Sequence, residues 1–172
     1  MKKLLLLAFL NLAFFSYTQA QRAAIIDIDG ILKDLPDFIK AQDEIDKIAA
    51  KWQQDIAQEY DKIKSMYNKY QAEQVLLSEE VRLEREEEIM EKEQQVRELQ
   101  KRRFGPEGDL FRRRQELVSP IQDEVYTVIE EYAKLKGYDL IFDKTGAAGL
   151  IYANEEYDKT NEIRRELGIK SK

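Results

Sequence analysis

Residues 37–75 read DFIKAQDEIDKIAAKWQQDIAQEYDKIKSMYNKYQAEQV. Within them Phe38, Ile45, Ile48, Trp52, Ile56, Tyr60, Ile63, Tyr67 and Tyr70 recur every three or four residues, the spacing that lines one face of an α-helix. Neither Gly nor Pro interrupts the stretch, so it predicts one helix of roughly 60 Å at about 1.5 Å per residue. The apolar face is narrow and the rest is charged, so this helix cannot enclose a core by itself. It pairs along a coiled-coil seam. The steps 48, 52, 56 and 60 are three successive fours, which a strict heptad does not contain, and the supercoil is expected to relax there.

Downstream, Val75-Leu76-Leu77-Ser78-Glu79-Glu80 has the marks of a turn, with Ser78 as N-cap and two acids at the positive end of the next helix. The chain then returns through Ile89, Val96, Leu99, Leu117, Ile121, Val125, Val128, Ile129, Tyr132 and Leu135, antiparallel to the first helix because the connection is short. Bends are expected where Phe104-Gly105-Pro106-Glu107-Gly108 and again Pro120 interrupt this path. Lys134-Leu135-Lys136-Gly137 is a helix stop, with cations at the negative end and Gly beyond it. Tyr138–Asp143 and Gly149–Asn154 read as two strands of a hairpin across the loop 144–148, and Asp158–Leu167 as a closing helix.

Upstream, Ala23–Ile28 is a β-branched run read as a first strand, ended by a turn at Asp29-Gly30 and followed by Pro36. Before it, Lys2 and Lys3, the apolar run Leu4–Phe15 and Thr18-Gln19-Ala20 form a secretory leader cut after Ala20. The run is shorter than the roughly 20 residues of a spanning helix. The expected location of the mature chain is beyond the inner membrane. The fold class is therefore α+β. A helical arm over 37–136 has its tip near 75–80, and the segments 21–36 and 137–172 form a small β body. Three short strands are marginal alone, and pairing between copies would complete them.

Composition removes several function classes. There is no Cys, hence no disulfide and no thiol nucleophile; with no His, the common transition-metal sites and His-assisted triads are excluded too. No phosphate-binding Gly-rich loop is present, so no nucleotide cycle or other cofactor is expected. The formal charge of −6 becomes −8 once Lys2 and Lys3 are cleaved off, which argues against nucleic acid as a partner.

The order of elements resembles the Skp/OmpH family, and specific residues carry the likeness. Ile25-Ile26-Asp27 with Ile31-Leu32 is similar to its opening strand and Ser119-Pro120-Ile121 to its Pro-Ile step. Lys136-Gly137-Tyr138-Asp139-Leu140-Ile141-Phe142-Asp143 is similar to its most recognisable block, and Leu150-Ile151-Tyr152-Ala153 with Tyr157-Asp158 and Ile163 to its C-terminal end. The resemblance implies a non-enzymatic, ATP-independent holding chaperone. It also implies a homotrimer whose helical arms surround unfolded outer-membrane β-barrel proteins. Contact with membrane lipids is a further implication; well-studied relatives are basic whereas this chain is acidic, and Lys101-Arg102-Arg103 with Arg112-Arg113-Arg114 is its local positive patch.

Candidate client contacts are Trp52, Tyr60, Tyr67 and Tyr70, and the tip residues Val75, Leu76 and Leu77; the same aromatic spacing also suits a helix seam. Candidate residues of the oligomerising body are Ile26, Ile28, Leu140, Phe142, Leu150 and Tyr152, and candidate arm bends are Gly105, Pro106, Gly108 and Pro120. The acid-rich run Glu84–Glu93 reads as a solvated face whose spacing fixes no calcium site. Two alternatives stand beside the holder. One is a scaffolding coiled-coil protein of the envelope, to which the mid-arm breakers are ill suited. The other is a haloacid-dehalogenase-like phosphatase, because Asp27-Ile28-Asp29-Gly30 resembles that family's nucleophile motif.

Overall fold

The computed structural model describes residues 21–146 and 150–169, so the leader read over 1–20 and the loop residues 147–149 lie outside it. In chain order the elements are β1 (Ala23–Ile26), α1 (Ile28–Asp34), α2 (Pro36–Glu73), α3 (Glu79–Phe104), α4 (Asp109–Lys136), β2 (Leu140–Asp143), a 3-10 turn (Glu155–Tyr157) and α5 (Thr160–Glu166). They fall into two compact units. One is Asp29–Val128; the other joins the chain up to Ile28 with the chain from Ile129 onward.

In the helical unit α2 runs unbroken for 38 residues and opens with Pro36 in its first turn, where a missing N–H costs nothing. Trp52 meets Phe104, Tyr60 meets Gln100 and Tyr70 meets Glu86, so α2 and α3 are antiparallel. Their seam is Ile56 and Ile63 from one helix and Ile89 and Val96 from the other, flanked by Met66, Tyr70, Leu99 and Phe104. Each buried pair is seven residues apart, so the seam keeps a strict heptad through 56, 63 and 70. The run of fours resolves by leaving it: Tyr60 and Tyr67 are exposed. Ser78 caps α3 by accepting from the Val81 N–H at 3.4 Å, with Glu79 and Glu80 in the first turn.

The returning path is broken once, at 105–108. Lys101, Arg102 and Arg103 occupy the last turn of α3, and the Gly105 N–H closes it on the Lys101 carbonyl at 2.8 Å. A Cβ at Gly108 would lie 2.7 Å from the Arg102 carbonyl, so the return of the chain there requires glycine. The second interruption, expected at Pro120, is absent: α4 continues through it. One lost backbone bond is tolerated in a helix whose neighbouring positions Leu117, Ile121 and Val125 are half-buried or buried.

In the other unit β1 and β2 pair in parallel, with Ala23 opposite Leu140 and Ile26 opposite Asp143. A parallel pair needs a crossover, and here it is the entire helical hairpin. Ala24, Ile25, Ile26, Tyr132 and Ile163 are its buried apolar residues among those described. Gly137 ends α4 at φ 68°, a conformation that glycine adopts without strain. Arg22 donates to the Lys136 carbonyl at 2.5 Å and its guanidinium lies 4.9 Å from the Tyr138 ring centroid, placing a cation on the negative helix end. Tyr138 in turn stacks on Tyr132 at 5.9 Å.

Two sequence expectations are corrected here. Asp29-Gly30 is not a strand-ending turn; β1 stops at Ile26, and both residues lie in the first turn of α1, whose Ile31 and Leu32 are buried. An acid in that first turn favours the helix, and burial of the following pair outweighs the turn preference of Asp-Gly. Residues 150–154 carry no strand, so the expected hairpin with β2 is absent and the sheet among the described residues has two strands rather than three. A strand exists only through its ladder: β2 pairs with β1 along one edge, and Ile151 (98% exposed) and Tyr152 (81%) stand in solvent rather than on a sheet that would order them.

The start of α5 is built from side chains. The Asp158 carboxylate accepts from the Thr160 N–H at 2.9 Å and its hydroxyl at 2.5 Å, and the same hydroxyl accepts from the Asp27 N–H at 2.9 Å. Burial acts to raise the Asp158 pKa, but the Thr160 hydrogen bonds and the Lys144 ammonium at 3.3 Å outweigh it, and the net shift is downward.

Candidate functional site

The aromatic series of α2 separates into two kinds of position. Trp52 is half-buried and already engaged: Phe104 stands edge-on to it at 6.3 Å, and the Arg103 guanidinium lies 4.3 Å over its ring while ion-pairing with Asp109 at 2.8 Å. Tyr70 packs on the seam and donates to the Glu86 carboxylate, a bond that, with burial second, raises its pKa. Tyr60 and Tyr67, seven apart and therefore on one face, are open to solvent. Their hydroxyls meet Gln100 (3.4 Å) and Gln71 (2.8 Å).

At the tip Val75 and Leu76 are 85% and 84% exposed, while Leu77 folds back. It lines a cleft of about 190 Å³ with Met66, Tyr70 and Ile89 under a rim of Glu73 and Arg85. That volume is below the usual range for a small-molecule site, so the cleft suits one side chain at most. The sequence reading overlooked Leu83 and Met90, both 61% exposed on α3 and also seven apart. The signal was present: they repeat at heptad spacing out of phase with the seam residues Ile89 and Val96.

In the strand unit Ile26 is interior to the chain itself, at 1% exposure, and Ile28 is half-buried in α1. Leu140, Phe142, Leu150 and Tyr152 are exposed. Of the four candidate bends, Gly105, Pro106 and Gly108 sit at the break and Pro120 within α4. Arg112, at the start of α4, pairs with Asp109, and Arg113 bridges Glu116 at 3.0 Å and Glu44 of α2 at 2.6 Å, so much of the positive patch is internally neutralised.

The phosphatase motif does not assemble a site. Asp29 faces solvent and pairs with Lys33 at 3.3 Å, and among the described residues no group of three or more acids converges as a magnesium site would require. Nor is any described helix long and apolar enough to cross a membrane.

A family described as Outer membrane protein (OmpH-like) matches residues 22–167. No curated protein matches the sequence. Among solved structures, a protein of Caulobacter crescentus CB15 assigned as an outer membrane chaperone (OmpH-like) superposes with a TM-score of 0.70, covering 90% of this chain and 89% of its own at 12% identity. At that identity the superposition speaks for the fold alone. The family match spans nearly all of the described residues, and the chain therefore belongs to the OmpH-like outer membrane protein family.

Proposed function

We propose that this protein is an ATP-independent periplasmic holding chaperone, assembling as a homotrimer and keeping unfolded outer-membrane β-barrel proteins from aggregating among its helical hairpins. The observation that carries the reading is a long hairpin whose seam uses one narrow face while further apolar side chains, Val75 and Leu76 foremost, stay uncovered. A solvated arm with scattered apolar contacts binds each client segment weakly, and several arms together bind through effective concentration. Family membership supports it, as does a strand unit with Leu140, Phe142, Leu150 and Tyr152 turned to solvent, a surface suited to other copies.

Holding needs no catalyst. The client leaves when insertion into the outer membrane is more favourable than its contacts here, so no nucleotide step is required. A scaffold with fixed partners would gain nothing from the break at 105–108, which favours the holder. The test is dilution of a urea-unfolded outer-membrane barrel into buffer without ATP, followed by light scattering. Suppressed scattering at several-fold excess is expected; undiminished scattering would overturn the proposal.

A further inference from the structure

The charge of this protein is unevenly placed. Residues 55–93, the outer part of the hairpin, hold 12 Asp and Glu against 6 Lys and Arg, a balance of −6; with Lys2 and Lys3 cleaved off, the rest of the mature chain holds 22 acidic and 20 basic residues, a balance of −2. Of the mature chain's −8, −6 therefore sits on the distal arm. The same segment carries the rows of uncovered apolar side chains: Tyr60 with Tyr67, Leu83 with Met90, and Val75-Leu76 at the tip. Two independent features thus coincide on one stretch of the hairpin.

We infer that the distal half of the hairpin is a docking surface for cationic, apolar-rich stretches of unfolded polypeptide. The inference rests on the holding function proposed above and names the class of segment held. The exposed rows remove apolar client side chains from water, and the acidic field selects among such segments for those flanked by Lys and Arg. Charge also speeds encounter and excludes acidic segments, both effects screened by salt. Several acids are available for this role: Asp61, Glu84 and Glu87 are exposed and belong to no ion pair among the described residues.

The test uses the full mature chain and two fluorescent peptides sharing one alternating apolar core, one flanked by Lys and Arg and the other by Asp and Glu. Anisotropy should show tighter binding of the cationic peptide, with the preference shrinking as salt rises. Asp61→Asn, Glu84→Gln and Glu87→Gln combined should weaken the cationic peptide on the order of fivefold and leave the acidic one unchanged or improved. Leu83→Ser with Met90→Ser should weaken both. Equal binding of the two peptides, or a preference that survives the charge-removing variant, would overturn the inference. Running the barrel-aggregation assay on the same samples separates the two proposals: suppression without charge preference removes this inference and leaves the holding function, whereas absence of both removes the two together.

Discussion

Thr160 shows how one side chain ties the strand unit together. It is buried, accepts from the Asp27 N–H and donates to Asp158, so Thr160→Val leaves a backbone donor and a carboxylate short of partners. The expected cost is about 1–3 kcal/mol, read as a lower thermal midpoint. Asp158 adds a pH dependence. Its folded pKa lies below the 3.8 of the free side chain, so its stabilising contribution is present above about pH 3.8 and is lost as pH falls through the lower folded value. The stability gap between wild type and Asp158→Asn should be widest above that pH and close on further acidification. A gap that widened on acidification would contradict the geometry.

Among elements, the seam and the outer faces of α2 predict opposite results from similar truncations. Ile63 is buried against Ile56, Ile89 and Val96, and Ile63→Ala should cost about 2–5 kcal/mol in chemical unfolding. Tyr67→Ala removes an exposed ring and should stay within about 0.5 kcal/mol while weakening client binding. A large stability loss at Tyr67 would return that residue to the seam. The helix break gives a further contrast: Gly108→Ala forces a methyl against the Arg102 carbonyl and should destabilise by about 1–3 kcal/mol. Pro120→Ala restores a donor inside α4 and should stabilise by up to about 3 kcal/mol.

At the scale of the molecule, assembly is the property the proposed function most needs. Ile151 and Tyr152 stand almost free on a segment that forms no ladder among the described residues. If other copies cover it, Ile151→Asp with Tyr152→Asp should lower the native mass from three chains toward one, measured by light scattering or native mass spectrometry. The helical hairpin should keep its circular dichroism signal. An unchanged mass would show that the copies meet elsewhere, and a wild-type monomer would remove the trimer altogether.

The long helices, their antiparallel return, the Ser78 cap and the stop at Gly137 were legible in the sequence because each depends on residues within a few positions of one another. Three-to-four-residue apolar spacing, capping chemistry and short β-branched runs are local, and they pointed to the fold class, while residue blocks such as Lys136–Asp143 pointed to the family. The family match and the structure bear out that much. What the tertiary structure decided depends on distant partners: β2 pairs with β1 rather than with 150–154, and Asp29-Gly30 enters a helix because Ile31 and Leu32 find cover. The candidate site divided in the same way. The spacing of Trp52, Tyr60, Tyr67 and Tyr70 placed them all on one helix, but only the opposing helix determines which of them the seam buries and which it leaves to solvent.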